Sequence, residues 1–211
     1  AVDRVTIAAA PGSDGFMGLG YLTARSRLVV RAPLDTVPDI TTTDGRITVR
    51  GDFPAARPLQ LRTAGGRIEL RGGAHSVDIR SASGDASLEV FRPLEHLFAR
   101  TSSGRVDLVG GARRVEVDTA SGTVRLASLS GPAQVSTTGG DVVLDWARLD
   151  PGATVTVRSS SGSVRVVLPP DTRPRGRLTT TRGQIRSGFP GTVADAGSAV
   201  ELAGDGPEIQ I

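Results

Sequence analysis

The chain contains no cysteine, no lysine and no asparagine, and only 3% of its residues are aromatic. Without cysteine there are no disulfides and no thiolate metal sites, and the redox compartment is left open. With so few aromatic rings the interior has to be built from aliphatic side chains. No apolar run approaches the roughly 18 residues of a membrane span, so no transmembrane segment is expected. The opening AVDRVTIAAAPG has no basic head followed by an apolar core, the pattern of a secretory signal; a leader or anchor outside this sequence is compatible with that. All 25 basic residues are arginine, which reads as the codon usage of a high-GC bacterial genome. The net charge is only +3 over 211 residues. The calculated pI therefore does not point to nucleic acid, and no nucleic-acid partner is expected.

What the sequence does have is a repeat. TTDGRITVRG, TAGGRIELRG, SASGDASLEV, TSSGRVDLVG, TASGTVRLAS and SSSGSVRVVL share one pattern, centred on Gly45, Gly66, Gly84, Gly104, Gly122 and Gly162, and looser copies stand at Gly140 and Gly183. The spacings are 21, 18, 20, 18, 18, 22 and 21 residues, a period near 20 that marks a solenoid. Two and four residues after each glycine the side chains are apolar, as in Ile68 and Leu70 or Val124 and Leu126, until Ser187 breaks the second column. Five before it they are apolar again, as in Leu61, Ile79 and Val117. Three before it every unit has Ser or Thr. Alternation on both sides of a glycine means two strands with a sharp corner between them.

Such a unit cannot bury its own apolar face, but stacked units can, about 4.8 Å apart. The fold expected is all-β: one right-handed parallel β-helix of about eight coils, roughly 34 Å long on that spacing. Residues 1–33 are read as an irregular N-terminal cap with a first strand, 34–187 as the repeats, and 188–211 as an insertion and the start of a last coil, all in one domain. Phe16, Met17, Leu19, Tyr21 and Leu22 are candidates for the N-terminal lid. Phe189, Val193, Val200 and Leu202 are candidates for the other end, and Ile209 and Ile211 for an unfinished ninth coil.

The Ser/Thr-Gly corner invites comparison with the nucleophile turn of hydrolases. That turn leads from a strand into a helix, and here a strand follows every glycine. A nucleophile also needs one distinctive serine, and this chain has eight equivalent hydroxyls. The column reads instead as architecture, its hydroxyls bonding neighbouring coils or the backbone groups freed by the corner.

The recurrent T-x-S-G-x-V-x-L pattern resembles the bacterial β-strand-repeat domains of unknown function regarded as adhesins, related in style to autotransporter-adhesin heads. The resemblance runs from about residue 28 to 211 and takes in the tail FPGTVADAGSAVELAGDGPEIQI, similar to an insertion these domains carry before a last coil. It implies a non-enzymatic protein of the cell envelope or extracellular surface. The chain departs from the family pattern at Ile211, where a further T-x-x-G corner is usual.

Candidate chemistry is thin, and no catalytic residue, cofactor or metal is expected. His75 and His96 precede their glycines by nine and eight residues and lack carboxylate or thiolate partners at metal-ligand spacing. Asp78 and Glu116 share an outward column two coils apart, roughly 10 Å on the strand spacing, which leaves paired glycosidase carboxylates open, though pairing with nearby Arg explains them more simply. One column is unusual: Arg62, Arg80 and Arg100, four before their glycines, stack like charges on three consecutive coils. At about 5 Å such charges repel by close to 1 kcal/mol per pair even in water, unless an acid or a bound anion compensates. These three arginines are the candidate polyanion site, with Asp78 and Glu116 as candidate compensators. The reading expected is an adhesin-like binding or spacer module whose partner is an acidic polysaccharide or other envelope polymer. Two alternatives stand beside it: a scaffold that associates end to end, and an enzyme acting on acidic polysaccharides.

Overall fold

A computed structural model describes residues 38–54, 57–181, 184–194 and 198–211. The expected N-terminal cap, with Phe16, Met17, Leu19, Tyr21 and Leu22, lies outside the described residues, as does Gly183. Every regular element described is a strand. In chain order these are β1 (Asp39–Thr42), β2 (Ile47–Phe53), β3 (Leu59–Thr63), β4 (Ile68–Ala74), β5 (Ser76–Ser81), β6 (Ala86–Val90), β7 (His96–Ser103), β8 (Val106–Val109) and β9 (Val115–Ser121). There follow β10 (Val124–Leu129), β11 (Ala133–Gly139), β12 (Val142–Trp146), β13 (Thr154–Ser159), β14 (Val164–Val167), β15 (Arg175–Thr179), β16 (Gly191–Ala194), β17 (Ala199–Ala203) and β18 (Glu208–Gln210).

The odd strands β1 to β13 pair in parallel in one sheet, and the even strands β2 to β14 form a second sheet of seven. Each consecutive pair, such as β3 and β4, is one repeat unit folded at its glycine. The register follows the sequence columns: Ile68 pairs with Ala86, and Leu61 with Ile79. Between the sheets the inward columns are almost completely buried, with Leu61, Ile68, Val117 and Leu144 at 0% exposure. The core is aliphatic, as the composition requires. Its one indole, Trp146, is buried, and its Nε1–H donates to the Gly131 carbonyl at 2.9 Å. Beside it a bulge shifts the pairing of β10 with β12 between Leu126 and Leu129, and Ser128 takes a positive φ of 64° to make the extra residue fit. Along the third side, where each coil crosses to the next, Ala74, Leu94 and Ala112 close the core.

The fold is therefore the β-solenoid expected, with fewer coils: seven two-strand units across six parallel interfaces, about six turns in place of eight. The difference lies at the C-terminal end. β15 carries the eighth unit's first strand but does not lie against β13. Instead β18 is inserted between them, parallel to both, with Ile209 opposite Val155 on one side and Gly176 on the other. The segment read as a ninth coil thus occupies the eighth position, and Ile209 is 2% exposed there. β17 and β16 extend the first sheet further by antiparallel pairing.

The second sheet stops at β14. Ser187 stands where the next strand would need an apolar residue, and its hydroxyl instead accepts from the Phe189 N–H at 3.1 Å. A serine that bonds its own backbone two residues on favours a turn over a strand. Of the residues expected to close this end, Val200 and Leu202 are buried and Phe189 packs against the core, whereas Val193 is 65% exposed.

Candidate functional site

The corner glycines explain themselves once the coils are stacked. A Cβ on Gly66 falls on the carbonyl oxygen of Gly45 in the preceding coil, and one on Gly122 falls on that of Gly104. Close approach of backbone to backbone forbids a side chain there. From Gly104 onward the corner glycines also have positive φ, 122° at Gly104 and 145° at Gly122.

The hydroxyl column changes its bonding at the same place. Thr42, Thr63 and Ser81 accept from the N–H of the corner glycine three residues on, at 3.2, 2.9 and 2.8 Å. Thr101, Thr119, Thr137 and Ser159 donate to the carbonyl two residues on, at 2.8, 3.3, 3.0 and 3.0 Å. These seven bonds satisfy the corner, and Thr63 fills the column's other role too, donating to the Thr43 carbonyl of the preceding coil at 3.3 Å. They are structural groups, committed to backbone partners.

On the outward face of the first sheet the register places Arg62 opposite Arg80, Arg80 opposite Arg100, and Arg100 opposite Asp118. The arginine row is thus continuous over three coils, at the strand spacing of about 4.8 Å. Each guanidinium has an acid: Arg62 meets Asp39 at 2.8 Å, Arg80 meets Asp78 at 3.3 Å, and Arg100 meets Asp118 at 3.0 Å. Asp78 is the compensator expected; for Arg100 the acid is Asp118 and not Glu116. Repulsion is relieved a second way. Phe98 stands between Asp78 and Glu116 in the outward column, and the guanidinium carbons of Arg80 and Arg100 lie 5.7 and 5.5 Å from its ring centre. Such cation–π contacts contribute roughly 0.5–1 kcal/mol at exposed sites. In the sequence Phe98 is the one aromatic of that column, a signal masked by the charges on either side.

The second sheet's outward face carries a different pattern. Around Ser87 the neighbouring coils alternate in sign, with Arg67 near Asp85 at 3.4 Å and Arg71 near Glu89 at 3.1 Å. Because Ser87 is short, this ring encloses a shallow depression of about 310 Å³, lined also by Glu69, Arg105 and Asp107. Burial raises the Asp107 carboxyl above the ordinary carboxylate range, against the opposing pull of Arg105 and Arg125.

His75 and His96 sit on adjacent coils, since Ser76 pairs with His96. They gather no third ligand, and no cluster of three metal-binding side chains occurs among the described residues. The His96 Nε2 is buried without a hydrogen-bond partner. Asp78 and Glu116 are separated by Phe98, which keeps them apart as a pair.

Fold and surface together define a β-solenoid repeat domain with a charged, ion-paired exterior. Residues 110–203 match the family described as Toastrack DUF4097, a domain family of unknown function, over just under half of the chain. No curated protein and no solved structure matches it.

Proposed function

We propose that this chain is a non-enzymatic, adhesin-like β-solenoid module of the bacterial cell envelope or surface, a stiff spacer that binds acidic polymers weakly through Arg62, Arg80 and Arg100. The observation that carries this reading is the arginine row itself, three guanidinium groups in register on one outward face. An extended polymer bearing sulfate, phosphate or uronate groups meets a repeating cation there, and each guanidinium can hold an oxyanion bidentately. Asp39, Asp78 and Asp118 compete for the same donors, which keeps the affinity low. Support for the non-enzymatic part comes from the corners, whose hydroxyls are spent on backbone bonds. The envelope address rests on the family resemblance.

The test is retention on heparin and on immobilised polygalacturonate. The parent should be retained at low ionic strength and released by about 0.2 M salt, since exposed charges are screened within about 10 Å at 0.1 M. Changing all three arginines to Ser should abolish retention and leave the melting temperature within a few degrees, because exposed ion pairs contribute only about 0–1 kcal/mol each. Retention of the triple variant equal to the parent's rejects the site.

A further inference from the structure

Phe91 is 78% exposed, the most exposed of the large apolar side chains described. The cause is local. Gly72 pairs with Val90, so Gly73 lies beside Phe91 on one neighbouring coil. On the other side Gly110 packs against Val90 and is followed by Gly111. Neither neighbour has a side chain to cover the ring. Val109, diagonal to it across the strands, is 59% exposed as well.

Phe91 lines neither of two polar hollows, but residues close to it in the chain border both. Glu89, two residues before it, lines the depression around Ser87. Arg92, the next residue, lines a second hollow of about 270 Å³ with His75, Pro93 and Glu95. We propose that Phe91 and these two hollows form a binding site for an uncharged polysaccharide, one sugar ring stacked on the phenyl face and its neighbours lying in the hollows.

Three features select this ligand. An exposed aromatic face gives a pyranose ring's C–H face an apolar seat, while the polar groups around it fix orientation, the usual division of labour in small-molecule sites. The charges nearly cancel: three arginines and four carboxylates line the first hollow, and Arg92 and Glu95 the second. A polyanion or polycation gains little there, whereas hydroxyls can donate to the carboxylates and accept from the guanidiniums. Asp107, whose carboxylate is already penalised by partial burial, gains from a hydroxyl donor. A protein partner is disfavoured, because protein interfaces bury a central apolar patch depleted in charge, and here one ring and one valine are surrounded by ion pairs. The site lies on the opposite sheet from Arg62, Arg80 and Arg100 and is independent of them.

Affinity electrophoresis through gels containing barley β-glucan, galactomannan or soluble starch tests the proposal, with cellohexaose and chitohexaose in saturation-transfer NMR. At least one of these neutral glycans should retard the protein, and the retardation should persist in 0.5 M salt, unlike heparin retention. Phe91→Ala should weaken binding tenfold or more without changing the melting temperature, while Phe98→Ala, on the other sheet, should leave it intact. Heparin retention should survive Phe91→Ala. Absence of retardation and of saturation transfer with all five probes overturns the proposal, and so does undiminished binding by Phe91→Ala.

Discussion

At the scale of single residues, the hydroxyl column shows how one sequence position can do two jobs. Thr63 accepts from a buried N–H, that of Gly66, whereas Thr119 donates to the carbonyl of Ser121, an exposed residue. Replacing each by Val keeps shape and volume and removes the hydroxyl. Thr63→Val strands a buried donor and should cost about 1–3 kcal/mol; Thr119→Val leaves an acceptor that water can reach and should cost about 0.5–1.5 kcal/mol. Urea unfolding of the two variants measures this. The opposite order rejects the assignment of donor and acceptor. The sequence shows a Ser or Thr at every corner but not which way the bond runs, because that depends on the glycine's φ. Likewise the arginine row was readable from spacing alone. The acid facing Arg100 was not, since Glu116 and Asp118 differ only in which part of the neighbouring side chain they reach.

Among the elements, β18 holds the position that matters most to the C-terminal end. Among the described strands, β18 is the one that pairs with both β13 and β15 and so joins β15, β17 and β16 to the sheet of the coils, whose order is β13, β18, β15, β17, β16. Ile209→Ala removes the buried side chain of that link and should cost about 2–5 kcal/mol. The loss should be local. Hydrogen exchange is expected to show residues 175–203 opening ahead of β9 and β11 in the variant; exchange of both regions in step removes this account of β18. The coils β1 to β14 were legible because each strand repeats the same alternation and meets a copy of itself. The end was not, because Glu208–Gln210 reads as a strand without naming its neighbours. A non-local pairing, with β18 crossing back to a slot between β13 and β15, leaves no period in the sequence. Ser187 was the one visible warning, and it marks where the second sheet stops.

For the molecule as a whole, the two sheets end unequally. The first continues through β18, β15, β17 and β16 beyond the level of β14, so a second copy stacked in register meets an overhang of four strands. Edge strands invite pairing unless something blocks them, and the overhang is expected to keep a second copy from reaching the β14 edge. Light scattering over a hundredfold range of concentration should give the mass of one chain throughout. A mass that grows with concentration establishes end-to-end assembly and overturns the blocking role of the overhang.

The insertion of β18 also sets an order in time. Chains are made from the N-terminus at about 5–20 residues per second, so roughly 1.5–6 s separate the completion of β15 from that of β18. During that interval the edge of β13 is open, and β15, which carries the repeat pattern at Leu178, is the nearest strand able to pair with it. The native arrangement requires that this early pairing give way, or be held off, until residues 208–210 arrive. A nascent chain of this protein has its coils in hand well before it can close its last rung.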